Sequence, residues 1–315
     1  MKKTLTGNVI LAIGLILMIM LPSIRMVGQG HAEVRKNPST LMDLSGLAWI
    51  NDDLFMCVHD AKNGRGEKDW PRISLLELPL SGFDGVIRES VYMEFPGFGG
   101  LASDLESICR IPGGKDFLLA ESGQAGEDHR RIFHAVYEDG GLAITEYVAW
   151  PVPVTNVEAT EVCRINDRLV FLYAERAEGS KTTQLRWADL SLNPLGFGAF
   201  SEVTYVAMDP VGQGARPVVA MDIDSDGTIY IASAYDPGID NGPFRSVIWQ
   251  IGRVTTDEKG NPLVVLESGK RLATLDGLKV ESIAIRELPG QNREIFFGTD
   301  DENYGGIIRL LPSVK

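Results

Sequence analysis

Five segments of the chain share one pattern of apolar and polar positions. Each starts with polar or small residues, passes through an apolar and then a small or polar position, and turns. A second strand-like stretch follows and ends at or near an acidic residue. The segments are 45–60, 106–121, 160–175, 219–234 and 281–300. The first four align without a gap and the fifth has a longer turn, so the pattern predicts five copies of a strand–turn–strand unit.

The spacing of these copies predicts how the units assemble. Their apolar anchors are 54 to 62 residues apart: Leu47, Ile108, Val162, Met221 and Ile283. Turn formers such as Asn51-Asp52 and Asp226-Gly227 separate the two runs, and up to two further β-like runs follow each unit. Four strands per repeat, arranged radially, are typical of a β-propeller. We therefore predict an all-β fold, a propeller of five blades with four antiparallel strands each.

The last copy is short, which leaves open how the ring closes and how many blades it has. Only enough chain for three strands follows Ile283, so we expect segment 33–42 to supply the missing strand and close the ring. A degenerate copy would allow six blades. A two-sheet β-sandwich is the alternative architecture, although the preserved register of the repeats favours the propeller.

The N-terminus has the pattern of an export signal. Lys2 and Lys3 precede an apolar run over 9–21, and Gly30-His31-Ala32 offers a small-x-small cleavage site. As a helix this run would reach only ~20 Å, short of the ~30 Å hydrocarbon core. We predict a signal peptide at 1–32, or an uncleaved anchor, and one propeller domain at 33–315. The expected location is secreted or periplasmic, with no stable membrane span after cleavage.

Composition narrows the partners of this domain. The 315 residues carry a net charge of −13, with a pI of about 4.8. Such a surface argues against nucleic acid and anionic membranes, and we expect a monomer. Cys57, Cys109 and Cys163 all lie in apolar runs, where a thiol behaves as a small core residue.

Strand alternation places many acidic residues on one face of the disc. The first strands begin there and the second strands end there, so we expect one acidic rim made of Asp60, Asp104, Glu106, Glu121, Glu158, Glu161, Glu175, Glu281 and Asp300. Like charges this close need cations. The chain can supply them through Arg72, Arg131, Arg176 and Arg245. Alternatively, Ca²⁺ can bind, with the ligands Glu106, Glu121, Glu281, Asp300, Asp301 and Glu302.

Three stretches carry a resemblance to a known family. DLSGLAW…VHDAKN, ASDLESI…AES and VESIAI…GTDDENYGG together resemble exported propellers similar to the phytase-like ("esterase-like activity of phytase") proteins. The resemblance spans residues 43–311. It implies a Ca²⁺-dependent phosphoester hydrolase in which Lys62, Arg65, Arg72 and Arg131 face the phosphate.

Two classes of function follow. The favoured one is a non-catalytic binding or scaffold propeller with an acidic central pocket for a small-molecule or anionic ligand. The alternative is a metal-dependent phosphoesterase or esterase, with His59 or Glu175 as general base. The stretch 222–227, DIDSDG, matches the start of an EF-hand loop, but Ser233 stands where the bidentate Glu belongs, so we predict a hairpin turn there.

Overall fold

The computed structural model describes residues 27–31, 34–36, 42–62, 70–78, 89–96, 98–290, 292–300 and 305–311. The regular secondary structure of these residues is β-strand, apart from one short 3-10 helix at Glu127–His129. The strands are β1 (Val27–His31), β2 (Val34–Lys36), β3 (Gly46–Asn51), β4 (Leu54–Val58), β5 (Ile73–Glu77), β6 (Glu89–Met93), β7 (Leu105–Arg110), β8 (Asp116–Glu121), β9 (Arg131–Glu138), β10 (Gly141–Ala149), β11 (Val157–Ile165), β12 (Arg168–Glu175), β13 (Thr182–Leu192), β14 (Leu195–Phe197), β15 (Ser201–Val206), β16 (Ala215–Ile223), β17 (Thr228–Tyr235), β18 (Arg245–Thr256), β19 (Pro262–Asp276), β20 (Val280–Leu288), β21 (Asn292–Thr299) and β22 (Ile308–Leu310).

These strands form five antiparallel sheets, one for each predicted repeat. From the inner strand outward they are β3-β4-β5-β6-β2, β7-β8-β9-β10-β1, β11-β12-β13 with β14 and β15 both on β13, β16-β17-β18-β19, and β20-β21-β22. We number the sheets blade 1 to blade 5 in this order. The innermost strands β3, β7, β11, β16 and β20 contact one another in sequence, and β20 contacts β3. The described residues thus form a closed ring of five blades, as predicted.

The hydrophobic core lies between the blades. Each of the five clusters of buried apolar side chains is shared by two neighbouring blades, because side chains alternate between the two faces of a strand. In β4, Met56 packs toward blade 2 and Phe55 toward blade 5. The five anchor residues are all buried on inner strands, and the three cysteines are buried and free, as predicted.

The prediction for segment 33–42 is wrong where the structure describes it. β2 pairs with β6 at the outer edge of blade 1 instead of completing blade 5. Blade 5 has three strands among the described residues, and the ring closes through packing of β20 against β3. Leu44 contributes to this closure, since its N–H donates to the carbonyl of Thr299 over 3.1 Å. β1, within the segment predicted as a leader, pairs with β10 at the outer edge of blade 2.

The hairpins between first and second strands lie where the turn residues predicted them. Asn166 and Asp52, for example, occupy their turns with φ of 54° and 40°. The segment 222–227 is the hairpin connection between β16 and β17, as predicted. Among the described residues, no helix is long and apolar enough to cross a membrane; the apolar run 9–21 lies outside them.

Candidate functional site

Three inner strands begin with the same irregularity. In β7, β11 and β20 the pairing with the second strand skips one residue, and the skipped residues are Glu106, Glu158 and Glu281. A β-bulge leaves its extra residue outside the ladder and turns its side chain aside. All three glutamates line the central channel at one end of the ring. The local sequences that form the bulges are alike, Leu or Val, then Glu, then Ser or Ala.

The bulges open into a polar cavity of about 470 Å³ at this end of the channel. We call it the acidic mouth. Its described lining is Asp43, Asp60, Lys62, Trp70, Glu106, Gln124, Glu158, Arg176, Arg216, Asp236, Gly238, Ile239, Asp240, Lys279, Glu281 and Asp300. The prediction that distant acidic residues converge on one rim therefore holds for Asp60, Glu106, Glu158, Glu281 and Asp300.

Three carboxylates of the acidic mouth converge on Lys279. Its ammonium nitrogen lies 2.5 Å from an oxygen of Asp300, 3.1 Å from one of Glu281 and 3.6 Å from one of Asp236. Arg216 approaches the same group, 2.8 Å from Asp236 and 3.4 Å from Glu281. Both cations are buried. Because buried charges persist only when they are paired, these five side chains act as one unit.

A second ammonium group lies on the other side of the channel. Lys62 is 2.6 Å from Asp60 and 2.9 Å from Asp104, which is fully buried. Burial opposes the charge of Lys62, but Glu106, Asp60 and Asp104 outweigh it and raise the pKa of Lys62. In blade 3 the guanidinium of Arg176 lies 3.0 Å from Glu158. The acidic residues are thus largely neutralised by the chain itself.

Glu106 differs from these paired acids. In the described part of the chain its carboxyl group makes no hydrogen bond and no ion pair, although it faces the acidic mouth. Burial, followed by the charges of Glu158, Asp104 and Asp60, raises the pKa of Glu106 well above its ordinary value. A carboxyl group with a raised pKa keeps its proton to a higher pH than usual, and in that form it is able to donate a hydrogen bond.

The four predicted Ca²⁺ ligands that the structure describes, Glu106, Glu121, Glu281 and Asp300, do not bring their oxygens together at one point. Glu281 and Asp300 are bonded to Lys279, and Glu121 is bonded to Arg131. The oxygens of Asp60, Asp104 and Glu106 lie within 4.8 Å of one another, the spacing of a cation site, but Lys62 is already bonded to two of the three. Since Ca²⁺ takes six to eight oxygen ligands, binding here would require displacement of a lysine.

Glu121 and Arg131 form a pair inside blade 2. Arg131 donates from Nε to Oε2 over 2.9 Å and from a terminal nitrogen to Oε1 over 2.6 Å. The backbone N–H of Ser103 and of Arg131 also donate to Glu121. Neither residue lines the acidic mouth. The pair is an example of neutralisation of an acid by arginine, which the sequence offered as the alternative to bound Ca²⁺.

Three other predicted site residues are also engaged away from the cavity. His59 is buried, with Nδ1 2.6 Å from the carbonyl of Asp43 and Nε2 2.8 Å from Oγ of Ser74, and burial lowers its pKa to about 4. Arg72 is buried and donates to the backbone carbonyl of Ala102. Glu175 accepts from the N–H of Thr155 and from Arg186.

The remaining predictions fall elsewhere. Arg65, Asp301 and Glu302 lie outside the described residues. Glu161 was predicted on the acidic rim, but it lines a pocket at the opposite end of the channel. It stands three residues beyond Glu158, which at about 3.3 Å per strand residue carries it about 10 Å along the channel.

Sequence reasoning missed the residues that neutralise and border the acidic mouth. Lys279 precedes the Val-Glu-Ser start of β20. Arg216 is the second residue of β16, as the three glutamates are of their own inner strands, but it pairs with Ala234 and the irregularity of β16 begins after it. Trp70 was missed because it lies in the connection between β4 and β5, outside the aligned segments. Alignment of the first residues of the inner strands, rather than of the apolar anchors, would have revealed Arg216.

The fold and its central cavity define this chain as a five-bladed β-propeller. No protein-family model and no curated protein matches the chain. Among solved structures, an exo-1,5-α-L-arabinanase from a bovine ruminal metagenomic library is 8% identical over 88% of this chain and 94% of its own, with a TM-score of 0.48. A GH43 β-1,3-galactosidase is 11% identical over 89% and 94%, with a TM-score of 0.45.

Other similar structures have different roles. The nidogen/laminin complex is 10% identical over 90% of this chain and 93% of that chain, with a TM-score of 0.36. These likenesses concern the propeller architecture alone, since propellers host unrelated functions. The resemblance to phytase-like propellers stays a prediction from the sequence.

Proposed function

We propose that this protein binds a small, uncharged, polyhydroxylated ligand of the carbohydrate type in the acidic mouth. One observation carries the proposal. Glu106 presents an unpartnered carboxyl group, with a raised pKa, to a cavity whose other buried acids are held in place by lysine and arginine. Such a carboxyl group both donates and accepts hydrogen bonds, as a hydroxyl-rich ligand requires.

The rest of the cavity is consistent with this ligand. Carboxylates and cations that are paired with one another surround it, and Gln124 adds an amide. Trp70, 52% exposed, borders the cavity as an apolar platform beside polar groups. An amphipathic aromatic residue at the edge of a polar pocket suits a ligand with one apolar face and many hydroxyl groups.

Charge argues against the anionic ligand that the phytase-like resemblance implies. Eight acidic and four basic residues line the cavity in the described part of the chain. Of the residues proposed to face phosphate, Lys62 is bonded to Asp60 and Asp104, and Arg131 is bonded to Glu121. A phosphate group would therefore meet excess negative charge.

Calorimetric titration tests this proposal. The probes are neutral monosaccharides and disaccharides, with glucose 6-phosphate as the anionic comparison. We expect neutral sugars to bind, glucose 6-phosphate to bind more weakly than glucose, and Trp70→Ala or Glu106→Gln to weaken binding by about tenfold or more. Met208→Ala, which removes an exposed apolar side chain outside the cavity, should change nothing. Tighter binding of the phosphate, or no sugar binding, contradicts the proposal.

Hydrolysis of a glycosidic bond is a second candidate. It is favoured by the closeness of Glu106 to Asp60 and Asp104, whose oxygens lie within 4.8 Å of one another. A protonated carboxyl group beside an ionised one provides the acid and the nucleophile or base of such a reaction, at separations of about 5–5.5 Å in retaining enzymes. Release of nitrophenol from nitrophenyl glycosides, abolished by Glu106→Gln and by Asp60→Asn, would support it. Activity retained in both variants would exclude this pair.

We further propose that Lys62, Lys279 and Arg216 take the place that Ca²⁺ would have among these acids. The melting temperature should then be the same with EDTA and with millimolar Ca²⁺. An increase that grows with Ca²⁺ concentration is the signature of a bound ion, and it would restore the Ca²⁺ site expected from the sequence. Export to the periplasm or the medium stays a prediction from the N-terminal sequence.

A further inference from the structure

A second pocket lies at the opposite end of the channel, on the side of the first hairpin of each blade. Its volume is about 500 Å³. All five inner strands or their turns contribute to it. Its lining includes Trp49, Arg110, Glu161, Arg164, Asp222 and Ile285. We call this pocket the hairpin mouth. It shares no lining residue with the acidic mouth among the described residues.

Two carboxyl groups stand at the inner part of the hairpin mouth without a cation. Glu161 is 7% exposed, and its only hydrogen bond in the described chain is to Oε1, from the N–H of Val162 over 2.8 Å. Asp222 accepts only from the N–H groups of Ile223 and Ile285, each over 2.6 Å. Oε2 of Glu161 therefore accepts no hydrogen bond from the described residues, although the residue as a whole is buried.

Two guanidinium groups of the same pocket also lack a counterion. Arg110 is half-buried, its Nε has no hydrogen-bond partner, and its guanidinium lies 5.8 Å from the ring centre of Trp49. Arg164 is exposed at the rim and donates to the carbonyl of Pro112. Neither arginine has a carboxylate within ion-pair distance in the described chain. The other acids of the pocket, Asp224 and Glu287, are paired with Arg293.

We propose that the hairpin mouth binds a small zwitterion, an amino acid or a short peptide. The ligand's ammonium group lies between Glu161 and Asp222, and its carboxylate meets Arg110 and Arg164. The ligand's apolar part packs on Trp49, Ile223 and Ile285. Because the carboxyl groups lie deeper than the guanidinium groups, the amino end enters first.

This ligand pairs the charges that the pocket leaves unpaired. A buried acid or a half-buried guanidinium without a partner costs free energy, and a ligand with complementary charges at both ends recovers it. An anion would satisfy only the arginines, and a simple amine only the acids. A neutral sugar would supply neither an anion for the arginines nor a cation for the carboxyl pair.

Protonation of the carboxyl pair provides a second readout. Burial raises the pKa of Glu161 well above its usual value, and burial, with Asp224 and Glu287, raises that of Asp222 to about 7. Arg110, Arg164, Asp224 and Glu287 line the pocket with this pair, and Arg293 is bonded to the last two. The thiols of Cys109 and Cys163 are the neighbouring titratable groups. An ammonium group favours the ionised pair, so it displaces a proton on binding at neutral pH.

Isothermal titration calorimetry of the full chain tests this proposal. The probes are L-leucine, glycyl-L-leucine and glycylglycyl-L-leucine, each compared with its N-acetylated and its C-amidated form. We expect at least one zwitterion to bind, and either modification to weaken binding by about tenfold or more. Binding heats in phosphate and in Tris buffer should differ by the difference between the ionisation enthalpies of the two buffers, multiplied by the number of protons released.

Variants assign the binding to this pocket. Glu161→Gln and Arg110→Gln should each reduce affinity by about tenfold or more while retaining the far-ultraviolet circular dichroism of the parent. Glu106→Gln, at the acidic mouth, should leave it unchanged. The proposal is overturned if no zwitterion binds at millimolar concentration, if modified and unmodified probes bind equally, if no proton is released, or if Glu106→Gln is the variant that abolishes binding.

Discussion

At the scale of single residues, the acidic mouth depends on cations that have almost no contact with solvent. Lys279 is 4% exposed and lies within 4.0 Å of three carboxylates. Its removal would leave Asp236 and Glu281 paired with Arg216 alone among the described residues, and would take from Asp300 its 2.5 Å contact with an ammonium group. The side chain is therefore a structural requirement for the cavity, independent of any ligand.

Replacement of this lysine should destabilise the fold strongly. We expect Lys279→Met to lower the free energy of unfolding by about 3–5 kcal/mol, the usual effect of breaking a buried ion pair. Urea denaturation at neutral pH measures the change. Lys115→Met is the matched control, because the pair of Lys115 with Glu138 is exposed and its loss should have little effect. Equal midpoints for the two variants would show that the network does not stabilise the protein.

Glu106 predicts a dependence of stability on pH. Its pKa is raised in the folded state, so ionisation above about pH 4.5 favours the unfolded chain. Each unit of that increase costs about 1.4 kcal/mol once the pH exceeds the folded-state value. Glu106→Gln removes the cost, and the stability of the variant relative to the parent should rise as the pH rises from 4 to 8. A difference that does not change with pH would mean that Glu106 ionises normally.

The site was only partly predictable at this scale. Strand alternation correctly placed Asp60, Glu106, Glu281 and Asp300 at one mouth. The partners of these acids come from other positions, as Lys279 and Arg216 show, and which cation reaches which acid depends on the packing between blades. Glu161 was misplaced because its depth along the channel was not considered.

At the scale of elements, the close contact between inner strands limits the size of the side chains at the start of each strand. A Cβ added to Gly46 in β3 would lie 2.7 Å from a methyl group of Val58 and 2.9 Å from the backbone nitrogen of Ile108 in β7. The neighbouring Ser107 ties β7 to β11 in turn, through a 2.7 Å hydrogen bond between its hydroxyl and that of Thr160. Small residues thus let adjacent blades meet at the channel.

A methyl group at position 46 should therefore separate blades 1 and 2. We expect Gly46→Ala to cost about 1–3 kcal/mol, as overpacking commonly does, because the backbone of β7 has no room to retreat. Thermal unfolding with Gly196→Ala as control measures it, since a Cβ at Gly196 meets nothing nearer than 3.9 Å. If Gly46→Ala unfolds at the same temperature as the parent, the inner strands are packed loosely enough to accept a methyl group.

The strands were the most predictable feature of this molecule. Turn residues and apolar runs located the first two strands of every blade, because both signals are local. The use of β2 was not predictable, because any strand with one unpaired edge, such as β6, is able to accept it. The bulges were also missed, since a single extra residue hardly changes an alternating pattern.

At the scale of the whole molecule, the first and last blades close the ring through side chains. Phe55 of β4 and Phe296 of β21 meet edge to face with ring centres 5.0 Å apart. The guanidinium of Arg286 lies 4.8 Å from the centre of the Phe296 ring. This contact joins parts of the chain that are far apart in sequence, so it forms only when the ring is complete.

A double-mutant cycle measures that closure. Phe55→Ala and Phe296→Ala should each cost about 3–5 kcal/mol. Their combined cost should differ from the sum by about 0.5–1.5 kcal/mol because the two rings interact directly. Phe117→Ala and Phe296→Ala, in different interblade clusters, form the control pair and should be additive. Additivity in both cycles would contradict the contact between blades 1 and 5.

The bulges at the starts of the inner strands separate what the propeller displays from what holds it together. Their extra residues, Glu106, Glu158 and Glu281, are skipped in the ladder of blades 2, 3 and 5. Because strand pairing does not depend on these side chains, the chemistry of the channel mouth can change at one blade while the propeller is kept, provided that the cation paired with Glu158 or Glu281 changes with it.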